Sequence, residues 1–218
     1  MYYQLAIFDL DGTLLNTLED LADTANATLT HYGLPVVPAE NYKNIIGGGA
    51  KKLCEIIMGP KATEEIGVEA FNNYRMALYD KSWMIKTREY EGITKALETL
   101  QEAGVKLAVL SNKTDVFTQV MVKHFFPNIA FDYCMGLRAD MRPKPDPDGI
   151  LEALRVLNIQ PKDTVYFGDS GSDMEASVRA GVMAAAVTWG FRGREELTAG
   201  GAQRFIDAPH QIPSACKM

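Results

Sequence analysis

Hydrophobic and polar positions along this chain fall into two periodicities that alternate, apart from one long interruption. Residues 4–10 are apolar on both faces until Asp9, the pattern of a strand buried on both sides in a parallel sheet. Leu18, Leu21, Ala22, Ala25, Leu29 and Tyr32 then recur every three or four positions and predict a helix, which Gly33 and Pro35 close. Two further helices are predicted over 50–58, ended by Gly59 and Pro60, and over 63–79, where Val68, Phe71, Tyr74, Arg75 and Leu78 share one stripe. No strand pattern occurs between Asn16 and about Arg88. A crossover between parallel strands needs little more than one helix, so this stretch reads as an inserted helical subdomain.

From Gly92 the alternation resumes. Helices are predicted over 94–103, 115–125 (capped by Thr114), 148–157 and from Ser172, as cap, to Ala180, with Gly104 and Gly181 as stops. Strands are predicted over 105–110, 132–135, 164–167 and 182–187. Residues 195–218 read as a last edge strand around Phe205 and Ile206 and a loose end. The pattern as a whole predicts an α/β fold: a doubly wound parallel sheet from residues 1–15 and 89–218, with residues 16–88 inserted after the first strand.

Charge narrows the possible partners. Of 218 residues, 22 are Lys or Arg and 28 are Asp or Glu, so a net charge of −6 provides no positive field for a nucleic acid. No run of 18 apolar residues occurs, and the first apolar stretch ends at Asp9, too early for the core of a signal peptide. The expectation is an unsecreted, cytoplasmic protein, monomer or homodimer, with no membrane partner. Cys54, Cys134 and Cys216 are odd in number and lack paired spacing, which points to reduced thiols. His31, His124 and His210 are scattered without ligand spacing, and Trp83 and Trp189 fit packing, a hinge or a cleft wall equally.

In open parallel sheets ligands sit at the carboxyl edge of the strands. The residues just past the apolar runs are Asp9 and Asp11, then Ser111 and Asn112, then Asp169 and Asp173. Asp9 and Asp11 are two apart and can share one face, with Gly12 permitting a tight turn. Close carboxylates repel, so either one is protonated or a cation binds. With Asp169 added and no His or Cys beside them, the expected ion is Mg2+. If Asp11 is protonated, the ionised Asp9, Asp169 and Asp173 balance one Mg2+ and a nearby Lys144, and a dianionic phosphate can then approach. Asp11 then serves as acid and base, and Asp9 as nucleophile. Singly, each feature has a plainer reading: Asp-Leu-Asp-Gly as a turn, Ser111-Asn112 as a turn or cap, Lys144 as a solvated loop charge.

Together and in order, Phe8-Asp9-Leu10-Asp11-Gly12-Thr13, Leu110-Ser111-Asn112, Lys144-Pro145 and Gly168-Asp169-Ser170-Gly171-Ser172-Asp173 resemble the four motifs of the haloacid dehalogenase superfamily of phosphatases. The resemblance implies a Rossmann-like core with a mobile helical cap between the first two motifs. It implies that Asp9 carries an aspartyl-phosphate and that Asp11 is general acid and then base. Ser111, Asn112 or neighbouring amides would bind phosphoryl oxygens and Lys144 would neutralise charge. Mg2+ would be held by Asp9, the Asp11 carbonyl and Asp169, with Asp173 supporting from behind. Asp11 disfavours the dehalogenase branch, which lacks a carboxylate at that position.

Length, cap position and the run Ile46-Gly47-Gly48-Gly49-Ala50 make the chain similar to phosphoglycolate phosphatases. Gly47 and Gly48 at a helix start, with Lys51 or Lys52, could receive a substrate carboxylate, or form a plain turn. The implied substrate is a small phosphorylated metabolite. Two alternatives stay open: a phosphomutase on the same scaffold, and a phospho-receiver switch that does not hydrolyse its substrate.

Overall fold

A computed structural model describes residues 2–218. The first strand, β1 (Leu5–Phe8), is followed by a short strand β2 (Leu15–Asn16). Three helices come next: α1 (Leu18–His31), α2 (Gly49–Ile66) and α3 (Val68–Ser82), with a 3-10 turn at Ala39–Asn44. A second short strand, β3 (Arg88–Glu89), leads to α4 (Ile93–Glu102), β4 (Lys106–Thr114), α5 (Asp115–Phe125), β5 (Tyr133–Leu137) and α6 (Asp148–Leu157). The chain ends with β6 (Thr164–Gly168), α7 (Gly171–Ala180), β7 (Met183–Val187), α8 (Arg194–Ala199), β8 (Arg204–Ile206) and α9 (Ile212–Ala215).

Six strands form a parallel sheet in the order β5-β4-β1-β6-β7-β8. Successive side chains of β1 point to opposite faces. Ala6 and Phe8 therefore join α4 and α5 in one core, through Leu97, Leu100 and Met121. Leu5 and Ile7 join α6 and α7 in the other, through Ile150, Leu154 and Ala176. Strand order reverses between β1 and β6, so the loops after these two strands diverge and leave a crevice between them.

The insertion leaves and re-enters the core through β2 and β3, which pair antiparallel as Leu15 with Glu89 and Asn16 with Arg88. Its own core of Leu21, Ala25, Leu29, Tyr42, Leu53, Phe71 and Tyr79 continues into the sheet domain through Phe117 and Phe191. The buried Asp20 clasps the returning chain. Its carboxylate accepts from the Lys86 and Thr87 amides and from the Thr87 hydroxyl, at 2.8–3.0 Å.

Several local expectations are corrected. The β2–β3 ribbon lies where no strand was expected, because two-residue strands carry no readable periodicity. Gly59 has non-helical backbone angles (φ 72°, ψ 167°) and ends the first part of α2 as expected, with a second helical part running on to Ile66, whereas the helix predicted over 63–79 is divided at Gly67 (φ 83°). Ser170, not Ser172, caps α7: its hydroxyl and amide exchange hydrogen bonds with Asp173 in a capping box. Thr114 stands at the start of α5, but its hydroxyl makes no capping bond. The tail is not loose: it includes α8, and Ile212, Ala215 and Cys216 are buried against the sheet.

Candidate active site

Asp9 follows β1 directly, held by its amide to the Phe167 carbonyl at 2.9 Å. Ser111, Asn112 and Lys113 occupy the irregular end of β4, where its register with β5 shifts between Leu110 and Thr114. Asp169 follows β6, Asp173 stands in the first turn of α7, and Lys144 lies on the loop before α6. All converge on the carboxyl edge of the central strands.

Lys144 is the hub of this cluster. Its Nζ donates to Asp9 Oδ1 at 2.7 Å, to Asp173 Oδ1 at 2.6 Å and to the Tyr166 hydroxyl at 2.8 Å. Burial lowers its ammonium pKa, but Asp173 and then Asp9 more than reverse this and hold it well above its ordinary value. Burial raises Asp9 to about 7, against the pull of Lys144 and with a further push from Asp173. Burial, then Asp9 and Asp173, also raise Asp169 well above the usual carboxylate range, although the Phe191 amide donates to its Oδ2 at 2.7 Å. Gly12 (φ 89°) and Gly190 make this packing possible, since a Cβ on either would overlap Asp169.

Carboxylate oxygens of Asp9, Asp169 and Asp173 lie within 4.8 Å of one another. Asp173 receives two protein donors on each oxygen, Lys144 and Tyr166 on Oδ1 and the Ser170 amide and hydroxyl on Oδ2, whereas Asp169 receives one on each, Thr13 on Oδ1 and Phe191 on Oδ2. That leaves Asp9 and Asp169 as the carboxylates with capacity for a cation, with Asp173 fixing Lys144 from behind. A hard all-oxygen donor set of this kind suits a divalent ion such as Mg2+.

The pattern of the sequence missed Lys113. Its Nζ lies 3.0 Å from Asp11 Oδ2 and 3.1 Å from the Tyr79 hydroxyl of α3, and the side chain is 7% exposed. Burial lowers the Lys113 pKa, but Asp11 and then Tyr79 more than reverse this. The other Asp11 oxygen, Oδ1, is buried with no partner. The charge balance drawn from sequence therefore omitted a lysine. With Asp11 ionised, four carboxylates face two ammonium groups, and one divalent cation supplies the two positive charges still lacking.

A cavity partly open to solvent extends from these groups into the insertion. Asp9, Asp11, Ser111 and Lys113 line one side, and Arg75, Met76 and Tyr79 of α3 line another. Asn112 also lines it, but a phosphate-binding role for its side chain is corrected. Both of its amide hydrogens go to the main-chain carbonyls of Gly47 (2.9 Å) and Lys144 (3.1 Å), and its Oδ1 accepts from the Lys144 amide at 2.8 Å. Asn112 positions the lysine loop and the mouth of the insertion. Among the predicted contacts of the insertion, Gly47 lines the cavity, whereas Gly48 and the exposed Lys51 do not. Helical rotation turns Lys51 outward from α2 while Ala50 and Leu53 face in. Trp189 serves as packing, its indole donating to the Thr13 carbonyl at 3.0 Å.

Residues 6–187 match the family of haloacid dehalogenase-like hydrolases. The chain belongs to that family. It is 33% identical over 188 residues to a phosphoglycolate phosphatase of Aquifex aeolicus, covering 86% of each chain. An N-acetylmuramic acid 6-phosphate phosphatase of Pseudomonas aeruginosa is 28% identical, over 97% of this chain and 94% of that one. A crystal structure from Lactobacillus delbrueckii subsp. bulgaricus, provisionally assigned as a phosphoglycolate phosphatase, superposes with a TM-score of 0.92 at 31% identity, covering 100% of this chain and 99% of that chain. The protein is accordingly a phosphatase of the haloacid dehalogenase type.

Proposed function

We propose that this phosphatase hydrolyses a small phosphate monoester through an aspartyl-phosphate on Asp9, with Mg2+ as cofactor and 2-phosphoglycolate as the favoured substrate. The observation that carries the mechanism is the contact of Lys144 with Asp9 at 2.7 Å, beside the carboxylate of Asp169. Asp9, Asp169 and the Asp11 carbonyl would hold the ion. Bound there, Mg2+ offsets charge on the phosphoryl group and orients its oxygens.

Asp9 attacks phosphorus while the bond to the ester oxygen breaks. Lys144 and Ser111 hold the phosphoryl oxygens, which suits a reaction that depends on positioning and charge neutralisation. Asp11 enters this step with a proton on its unpartnered Oδ1, taken up as the dianionic substrate binds, and passes it to the leaving group while Oδ2 stays on Lys113. The same oxygen then takes a proton from water. The resulting hydroxide attacks phosphorus, the bond to Asp9 breaks and inorganic phosphate leaves. The insertion acts as a cap over this chemistry, moving on the β2–β3 ribbon to exclude bulk water.

The substrate reading draws support from the relatives, one named for phosphoglycolate and one for the 6-phosphate of N-acetylmuramic acid. Both compounds join a phosphate ester to a carboxylic acid. The test is phosphate release from an aryl phosphate and from 2-phosphoglycolate, with and without a chelator, by the wild type and by Asp9→Asn. Release should need the metal and vanish in Asp9→Asn. Metal-independent release, or an active Asp9→Asn protein, contradicts the mechanism, and transfer to a sugar without phosphate release would make the protein a mutase.

A further inference from the structure

We infer that Arg75 reads the leaving group, and that the site selects phosphomonoesters whose leaving group carries a carboxylate. This rests on the phosphatase reading above and adds to it the residue that sets specificity. Arg75 lies on α3, is 3% exposed and lines the same cavity as Asp9, Asp11 and Ser111. A guanidinium does not lose its proton inside a protein, so burial leaves it as a full positive charge.

The other buried cations of the cluster are answered by carboxylates, Lys144 by Asp9 and Asp173 and Lys113 by Asp11. Arg75 makes no ion pair among the described residues. Its Nη2 donates to the neutral Asn72 Oδ1 at 3.1 Å and to Met76 Sδ at 2.9 Å, and its buried Nε has no partner. The titratable groups it influences are Tyr42, Cys54 and Tyr79, which burial keeps neutral. An unmatched charge of this kind is costly without a ligand and becomes an asset when an anion arrives.

The phosphoryl group is claimed by the core side of the cavity, so the anion for Arg75 belongs to the leaving group. The planar fork of a guanidinium matches the two oxygens of a carboxylate. One guanidinium balances a monoanion, whereas a second dianionic phosphate would call for another cation beside it. Leu21, Ile46, Leu53 and Phe117 add apolar surface to the wall around Arg75, which disfavours further charged groups on the leaving group.

The experiment compares kcat/KM for 2-phosphoglycolate and for 2-hydroxyethyl phosphate, which replaces the carboxylate by a neutral CH2OH. The enzymes are the wild type, Arg75→Gln and Arg75→Lys, each with Mg2+. The wild type should prefer the carboxylate ester by about a hundredfold, the penalty expected when a buried charge loses its partner. In Arg75→Gln this ratio should collapse toward one, whatever loss the two esters share. Arg75→Lys, which keeps the charge without the fork, should retain an intermediate ratio and carries the comparison if the Gln variant does not fold. A wild type that cleaves both esters equally, a variant with an unchanged ratio, or a stronger preference for ethylene glycol bisphosphate overturns the assignment. Failure of the wild type to release phosphate from any ester, an aryl phosphate included, would instead sink the phosphatase mechanism itself.

Discussion

The Lys113 ammonium lies 3.0 Å from Asp11 Oδ2 inside a wall where both side chains are close to fully buried. It also meets the Tyr79 hydroxyl, so one lysine links the proposed proton donor of the core to the helical insertion. Lys113→Met should destabilise the protein by about 3 kcal/mol, because it leaves a buried carboxylate unpaired. Adding Asp11→Asn should restore much of that stability, and urea denaturation of the two single variants and the double variant measures the coupling. Strictly additive costs would show that the pair does not interact.

Gly12 is required for two reasons, its φ of 89° and the Asp169 carboxylate where its side chain would be. Gly12→Ala should abolish phosphate release and lower the melting temperature. Gly33 has a similar φ of 67° with nothing within 4 Å, so Gly33→Ala should cost only about 1 kcal/mol and leave turnover intact. Equal damage at both positions would mean that backbone strain, and not the Asp169 contact, matters.

Without metal, stability should fall as pH rises. Burial lifts Asp9 from an ordinary value of 3.8 to about 7, and Asp169 moves in the same direction. A raised carboxylate binds its proton more tightly in the folded state. The stability this brings is therefore fully present below about 4 and is lost as pH climbs through about 7. Melting curves of chelated protein should decline across this window, and Mg2+ should raise the melting temperature more at pH 8 than at pH 5, since metal and proton compete for the same oxygens. A metal effect independent of pH would contradict the assignment of Asp9 as a ligand.

Asp20 closes the base of the insertion through the Lys86 and Thr87 amides and the Thr87 hydroxyl. Asp20→Ala orphans the buried Thr87 amide and hydroxyl along with the part-buried Lys86 amide and should cost about 2–3 kcal/mol. Increased amide exchange at the β2–β3 ribbon is the accompanying signature. Unchanged protection there would place the clasp outside the hinge.

What the sequence determined by itself was everything that rests on short-range pattern. Two-faced apolar runs marked the central strands, and the residue after each run was necessarily at one edge of the sheet. Asp9, Asp169 and Asp173 could therefore be grouped before any coordinates, and their shared chemistry made Lys144 a reasonable companion. The capping choice between Ser170 and Ser172, the break at Gly67 and the docked tail depended on which contact wins in three dimensions, where pattern is silent.

Only the tertiary structure decided the partners of the buried charges. Lys113 reads as the residue after a turn, and Arg75 as one position on a helical stripe, because a charge reveals its role through what neutralises it. Asp11 is separated from Lys113 by about a hundred residues of sequence, most of them the insertion. Arg75 forms no ion pair with a carboxylate among the described residues, and its Nε has no partner. Electrostatic pairing acts across space and leaves no periodic trace along the chain, so it becomes visible only once the strands and helices are packed.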